Sequence, residues 1–558
     1  MSIGGQKRTR SERVASIELP PGRVMRWLIS VRRRDVALRI ALCLLATAAI
    51  AFVSRAWETP FGFRKGYCPR HDILSRAKFE SRDPRRDDLS RQHDKGELLA
   101  TANHPLGDED LRILLLEHKA HEAGTTMTAK VARTAAVVVL VLAMYCLCGY
   151  YVARTKRRPL DDLKRFCLLQ AIVILAVGIG VWLSRDPWRA ELIPLLLLGI
   201  TVTIAFGQRL ALVISLAVAL IVALATGGHL GEFVLLLGGT TTAVLLCGRV
   251  RSRSKLIKVG LLAGGVSLVL TLVAGILDQQ PLSVALWTDA GRNALWGLGA
   301  GFLIAGLLPF VESLFGVLTD ISLLELGDVA HPLLQELVRR APGTYNHSIN
   351  VASLAEAAAD AIGANGLLAR VGAYFHDIGK MLKPGYFVEN IGNNGNRHDA
   401  LVPTMSTLII IAHIKDGADL ARQHHLPDRI VDFIEQHHGT TLVEYFFHRA
   451  SEQHEADGNG ATVEESAFRY PGPKPQTKEA GVLMLADAVE GAARVLVEPA
   501  PARIESLVNE IAMSRLHDGQ FDESGLNLTE LRAVQDSLSK SLTAMYHGRL
   551  KYPSQRTA

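Results

Sequence analysis

Between Val36 and Phe315 the chain carries a succession of long apolar segments, and these constrain its fold more than any other feature. A helix of about 20 apolar residues crosses the ~30 Å hydrocarbon layer of a bilayer. The first run, Val36 to Val53, is interrupted only by Arg39. It follows a 34-residue lead with nine Lys or Arg against two Glu, far longer than the basic region of a cleaved signal, so the sequence predicts an uncleaved anchor. Further spans are expected near 134–153, 167–183, 192–206, 210–226, 231–248, 256–276 and 294–315, which with the anchor makes eight crossings. Several are shorter than the usual spanning length.

Charge orients these spans. Basic residues gather in alternate loops: Arg154, Lys156, Arg157, Arg158, Lys164 and Arg165, then Arg209, then Arg249, Arg251, Arg253, Lys255 and Lys258. The other loops are balanced, with Arg185 and Arg189 beside Asp186 and Glu191, and Arg292 opposite Asp278 and Asp289. By the positive-inside rule the N-terminus and the C-terminal half lie on the cytoplasmic side. The span interiors are nearly free of Lys, Asp and His, Glu312 near Pro309 being the exception, which disfavours a transporter. Gly178, Gly180, Gly297, Gly299 and Gly301 are read as helix-packing positions.

The overall charge of +6 is modest and spread over loops, so no nucleic-acid polymer is expected as partner. Five of the six cysteines lie in or beside apolar runs, with Cys68 alone in a water-facing stretch, which excludes both a disulfide framework and a Cys-rich zinc site. Beyond Val317 the periodicity is that of a soluble all-α domain, broken at Pro342, Gly363, Pro384 to Gly395, Pro427 and Asp457 to Pro475, with Asp457 to Glu465 read as a surface loop.

Chemistry concentrates in that soluble half. His347, His376-Asp377, His413, His437-His438 and Asp487 each fall on an apolar segment read as helical. One histidine on such a face is commonly a satisfied core residue; five, with two aspartates, would leave too many buried polar groups to be satisfied separately. Imidazoles and carboxylates without thiolate suit first-row divalent ions, and a pair of such ions clamps a phosphodiester while activating a water. On a helix His376 and Asp377 point about 100 degrees apart and face one cavity. The economical arrangement puts Asp377 between two ions, with His347, His376 and Asp487 on one and His413, His437 and His438 on the other.

Lys380, after Gly379 at an expected helix end, is read as folding back toward phosphate oxygens, against the plainer reading of a solvated helix-end charge. Thr344, Tyr345, Tyr386 and Asn390 are candidate substrate contacts, with capping and turn roles as the alternative. His398, His424, His425 and His448 lie in polar surroundings and are expected at the surface.

With those residues in hand, the chain resembles the HD-domain phosphohydrolases, and more closely their seven-transmembrane branch. The resemblance is carried by Pro309-Phe310-Val311-Glu312, Leu323-Leu324-Glu325-Leu326, Ala341 to Ser348, Gly372 to Lys380, Tyr386 to Asn390, Glu435 to Thr440, Arg469 to Pro475 and Leu485-Ala486-Asp487. It implies a bacterial inner-membrane phosphodiesterase that opens cyclic di-AMP to linear pApA with two divalent ions, iron or manganese. The implied division is a basic cytoplasmic tail (1–34), an anchor (35–55), a short extracytoplasmic domain (56–130), a seven-transmembrane domain (131–317) and a cytoplasmic all-α HD domain (318–548). Implied partners are a cyclic dinucleotide and the bilayer, with a homodimer left open. The stretch from Ser54 to Lys130 is shorter than the family's usual extracytoplasmic domain, and Ile391 stands where a polar residue is expected. A membrane receptor that binds nucleotide with little turnover is the competing function.

Overall fold

The computed structural model describes residues 34–83, 86–154, 162–185, 188–391, 395–456, 463–496 and 499–547. The basic lead through Arg33, the loop residues Lys156 to Arg158, Asp186 and most of the Asp457 to Glu465 loop lie outside the described residues. The chain divides into two compact units, residues 1–317 and 318–558.

The first unit is a helical membrane bundle. Its apolar helices are α1 (Arg34–Val53), α3 (Met127–Arg154), α4 (Leu163–Leu183), α5 (Leu192–Phe206), α6 (Gln208–Thr226), α7 (Leu230–Cys247), α8 (Arg253–Leu277) and α9 (Val284–Phe315). Among the described residues seven helices are long and apolar enough to cross a bilayer, and the protein is a multi-pass membrane protein. The expected eighth crossing, α5, is a 15-residue helix with most of its residues buried among its neighbours. At 1.5 Å per residue it is shorter than the hydrocarbon layer, and burial inside the bundle shields its ends. Helices α3 and α9 begin earlier than hydropathy alone indicates, at Met127 and Val284, because stretches carrying polar residues, Thr128 to Arg133 in α3 and Thr288 to Asn293 in α9, continue the helix beyond its main apolar part.

Small residues let α8 and α9 touch backbone to backbone. A Cβ on Gly260 would lie 2.6 Å from Gly301 Cα, and one on Gly297 would lie 2.4 Å from Gly264 Cα. Gly299 has open space beside it and takes no part in this packing.

Between α1 and α3 the chain forms two antiparallel ribbons, β1 (Ile73–Leu74) with β4 (Leu98–Ala100) and β2 (Phe79–Asp83) with β3 (Arg86–His93), and then α2 (Asp108–Ala123). Ile73 faces Ala100 and Phe79 faces His93 across the ladders. Cys68, expected in water, is buried in this region, its backbone N–H and C=O both bonded to the Gln280 side-chain amide at 2.8 Å.

The second unit is all-α: α10 (Asp320–Leu326), α11 (Pro332–Arg340), α12 (Pro342–Ala361), α13 (Gly366–Phe375), α14 (Pro403–Gln423), α15 (Asp428–Gln436), α16 (Glu444–Ala456), α17 (Lys478–Ala493), α18 (Pro501–His517) and α19 (Leu528–His547), with short 3-10 turns at Ile378–Leu382, Pro384–Tyr386, Arg397–Ala400 and Glu465–Phe468. Local chemistry sets several starts. Pro342 opens α12, Asn365 accepts the Leu368 N–H at the head of α13, and the Thr477 hydroxyl accepts the Ala480 N–H at the head of α17. The core runs through Val351, Leu354 and Ala358 of α12, Phe375 of α13, Ile430 and Ile434 of α15 and Leu483 and Val489 of α17. Helices α12, α13, α15 and α17 thus meet along one apolar seam, and polar residues that interrupt it, joined by His413 of α14, form the site.

Candidate metal centre

Two ligand groups converge in the second unit: His347, His376, Asp377 and Asp487 in one, and His413, His437 and His438 in the other, the ligand atoms of each within 4.8 Å of one another. His347 comes from α12, His413 from the middle of α14 and Asp487 from α17. His376 and His437 are the residues that close α13 and α15, and Asp377 (φ −110°, ψ 14°) precedes the Ile378–Leu382 turn. The pair His376-Asp377 was expected within a helix; it lies at a junction instead, where the chain leaves the α conformation and lets Asp377 reach between both groups.

The two oxygens of Asp377 face opposite ways. Oδ2 lies 3.2 Å from His376 Nε2 and 3.6 Å from His347 Nε2, while Oδ1 lies 3.4 Å from His413 Nε2 and 3.7 Å from His437 Nε2. Asp487 Oδ1 is 2.8 Å from His347 Nε2 and 3.6 Å from His376 Nε2, and its Oδ2 is 3.8 Å from His438 Nδ1.

Ring orientation is set by the backbone. Nδ1 of His376, His413 and His437 donates to the carbonyl three residues earlier, of Ala373, Ile410 and Ile434. A carbonyl can only accept, so Nδ1 carries the hydrogen and each Nε2 turns inward. His347 is held differently, with its Nδ1 2.6 Å from Glu490 Oε2. Carboxylate or carbonyl support behind an imidazole is the usual arrangement at metal-ligating histidines.

A divalent cation fits this donor set. His376 Nε2 and Asp377 Oδ1 are buried with no hydrogen-bond partner, an expensive state for polar atoms in an apolar interior. Lone pairs separated by about 3–4 Å leave room for an ion at roughly 2.0–2.2 Å from each, the usual bond length to imidazole and carboxylate. The electrostatics agree. Burial, reinforced by the His376 charge, pushes His437 down to about 3, and burial with the neighbouring rings holds His413 and His438 low too, so these three present neutral nitrogens. Burial opposes ionisation of Asp377, but His376 and Lys380 outweigh it and keep its carboxyl well below the usual range. Against the same opposition from burial, Asp377 and Asp487 raise His376 to about 10, so the Asp377–Asp487 side of the centre strongly attracts positive charge.

Lys380 is neither solvated nor pointing at open space. Its side chain is 13% exposed, and Nζ lies 2.7 Å from Asp377 Oδ2 and 2.9 Å from Glu389 Oε1. Gly379 does not turn a helix end; it permits a close crossing, since a Cβ there would lie 1.9 Å from the His413 carbonyl oxygen.

A cavity of about 890 Å³ opens beside the centre, bounded by His413, His438 and Lys380 on one side and Tyr386, Phe446 and Tyr470 on the other. Tyr386 faces it, as does Ile391. Asn390 instead caps α12, accepting the Gly343 and Thr344 N–H groups at 3.0 and 3.2 Å, while its amide donates to Thr344 Oγ1 at 2.8 Å. Thr344 is buried and Tyr345 packs on the core. His398 was expected at the surface and is buried: its Nε2 bonds the Tyr386 carbonyl at 2.9 Å and its ring packs on Phe446, so it shapes the cavity wall. His424, His425 and His448 are exposed.

Sequence reasoning passed over Glu490, Glu389 and Tyr470. Glu490 sits one turn from Asp487 on the same face of α17, a spacing that could have revealed it. Tyr470 stacks on His438 with ring centroids 4.4 Å apart, but its part of the chain is irregular and gave no periodic signal.

Fold and donor set define a multi-pass membrane protein carrying an HD-type metal-binding domain, and the chain belongs to the seven-transmembrane HD phosphohydrolase family. Residues 131–319 match the family described as 7TM receptor with intracellular HD hydrolase, and residues 344–492 match the HD domain. The chain is 41% identical over 372 residues to the cyclic-di-AMP phosphodiesterase PgpH of Bacillus subtilis, covering 65% of this chain and 51% of that one. It is 42% identical over 323 residues to PgpH of Listeria monocytogenes, covering 58% and 44%. The crystal structure of the L. monocytogenes PgpH HD domain in complex with cyclic-di-AMP is similar over 40% of this chain and all of that one, with 47% identity and a TM-score of 0.37. The chain spans about half the length of the curated relatives it matches.

Proposed function

We propose that the protein is a metal-dependent phosphodiesterase of the bacterial inner membrane that hydrolyses a cyclic dinucleotide, cyclic di-AMP, to linear pApA. One observation carries this reading: six imidazole and carboxylate ligands, all but His438 largely buried, are arranged about the two outward-facing oxygens of Asp377, next to a cavity of nucleotide size. The names of the PgpH relatives support the choice of substrate.

In this reading His347, His376, Asp377 and Asp487 hold one divalent ion and Asp377, His413, His437 and His438 the other, iron or manganese in each place. Bound ions supply Lewis acidity toward a phosphodiester and a water acid enough to attack near neutral pH. Water adds to phosphorus and the 3′ oxygen leaves, taking a proton, so that one of the two phosphodiester bonds opens. Lys380 fixes the orientation of Asp377 and adds positive charge at the cavity edge, and Glu389 holds Lys380 in place. Tyr386 offers an aromatic edge to a base, whereas Thr344 and Asn390 act through the start of α12. The tail (1–34), anchor (35–55), extracytoplasmic segment (56–130), seven-transmembrane domain (131–317) and HD domain (318–548) are the functional parts, with both termini cytoplasmic.

The test is incubation of the purified full-length protein, loaded with manganese or iron, with cyclic di-AMP, cyclic di-GMP and pApA. Release of pApA that Asp377→Asn abolishes, together with metal content approaching two ions per chain, is expected. Tight binding of cyclic di-AMP by metal-loaded protein without turnover would replace the enzyme with the receptor reading.

A further inference from the structure

The membrane unit contains a second polar cavity, and the spans as read from sequence gave no sign of it. It measures about 160 Å³ and lies at the helix ends near Gly227, Leu230, Leu277 and Val284. The segment from Thr59 to Arg70 closes it. Arg64 bonds Glu232 at 2.7 Å, the Gln280 amide pairs with both backbone groups of Cys68, and Arg70 bonds the Leu277 carbonyl at 2.6 Å. Below that segment Arg189 contacts both oxygens of Asp289 at 3.0 Å, and Arg292 reaches Asp289 at 2.6 Å.

Two features separate this cavity from a mere clamp on the loop. Six of its lining residues are glycines, at positions 62, 66, 227, 228, 231 and 275, so backbone forms part of the wall of a space that remains open. Its fixed charges balance: Arg64, Lys65 and Arg189 against Glu232, Asp278 and Asp289. Glu191, beside this charge cluster and 4% exposed, has an Oε2 without a hydrogen-bond partner. Buried ion pairs add little net stability over well-packed apolar side chains, so stability alone is a weak reason for this many charges beside a space left unfilled. Ionisable groups grouped in a membrane-protein cavity point to a ligand or an ion path.

We propose that this cavity binds a small zwitterion of the amino-acid class, its carboxylate received by the arginines and its ammonium by the carboxylates. Balanced charge disfavours a simple anion or cation. The volume lies below the ~300–1,000 Å³ of pockets for drug-sized ligands, which limits the occupant to a few heavy atoms. The polar side chains of Thr271, Gln280 and Asn293 add hydrogen-bonding capacity to the wall, with Asn293 donating to Thr271 at 2.9 Å. The inference stands apart from the phosphodiesterase reading, since it is measured by binding alone.

The experiment takes the full-length protein in lipid nanodiscs and measures melting temperature and calorimetric heat with the twenty protein amino acids. Propionate, propylamine and glycerol are single-charge and neutral controls. At tenfold excess over the dissociation constant, at least one amino acid should raise the melting temperature by about 2 °C or more, and the controls should not. Asp289→Asn should weaken that binding at least about tenfold by removing an ammonium acceptor. Thr271→Leu, which fills the cavity and leaves every ion pair in place, should abolish it, so a poorly folding Asp289 variant does not leave the matter open. No binding by any amino acid at about 10 mM, beyond the weak millimolar range, would overturn the proposal. So would equal binding of a control, or binding indifferent to Thr271→Leu.

Discussion

Replacing Gly379 by alanine should damage the metal centre through one methyl group. The added carbon would stand 1.9 Å from the His413 carbonyl oxygen, 2.6 Å from the Gly417 nitrogen and 2.8 Å from the His413 carbonyl carbon. All three belong to the backbone of α14, so no side chain can swing aside. Ordinary contact begins at about 3.4 Å, which requires the 3-10 turn and α14 to separate by about 1.5 Å. Overpacking of this kind costs about 1–3 kcal/mol, and a purely backbone clash belongs at the upper end. For a unit of this size that lowers the melting temperature by ~6–12 °C. The functional cost is larger in proportion, because His413 is carried on the helix that retreats while Asp377 stays two residues from the methyl. Ligand distances tolerate only about ±0.2 Å, and a 1 Å displacement at a reacting centre costs on the order of 100-fold in rate. The assay combines differential scanning fluorimetry, metal analysis and phosphodiesterase rate on the full-length protein. Gly491→Ala is the control: that residue is exposed, has nothing within 4 Å of its added carbon and lies inside α17, where alanine should stabilise by up to about 1 kcal/mol. Wild-type metal content and rate in Gly379→Ala would refute the argument from close crossing.

Three further outcomes are expected. Glu490→Gln leaves the His347 ring without its anionic support and should lower metal affinity about 10- to 100-fold, read by chelator competition. Lys380→Ala should keep bound metal but slow hydrolysis about 10- to 1,000-fold, as steady-state rates at saturating metal will show, since positive charge is lost beside Asp377. For Asp518, burial favours the neutral acid, but bonds from Arg469 and Gln520 hold its pKa below the ordinary carboxylate value. A depressed folded pKa gives stability that is present above the unfolded value of ~3.9 and lost as pH falls through the lower folded one. The melting difference between wild type and Asp518→Asn should therefore be constant from about pH 5 to 8 and shrink below about pH 4, and a difference that grows with acidity would contradict this.

The all-α architecture was legible because its signals are periodic. Spans announce themselves by uninterrupted apolar length, and His347, His413 and Asp487 lie on stripes that continue through Val351, Ile409 and Leu483. What escaped reading depends on where chain segments cross. The junction that turns Asp377 away from α13 is a departure from periodicity, and the closeness of Gly379 to His413 spans 34 residues, for which no local pattern exists. Asn390 shows the same limit, since as a cap for α12 it acts 47 residues from Gly343. The buried charges around Asp289 were read as balanced loop residues because only the folded segment from Thr59 to Arg70 covers them.

Three of the ring ligands take their aim from the carbonyl three positions earlier in their own chain. Their direction is thus fixed by the preceding turn of the helix that carries each ring, before any distant partner arrives. Immobilising a rotamer-rich side chain at a binding site costs about 0.5–1.5 kcal/mol, and here that loss falls on folding of the polypeptide and is absent from capture of the ion. Three rings treated this way make the second step stronger by ~2–4 kcal/mol, equivalent to roughly 30- to 1,000-fold in dissociation constant. A preset socket of this kind takes up scarce metal with little further rearrangement, and loading should follow a single fast phase without a slow conformational step.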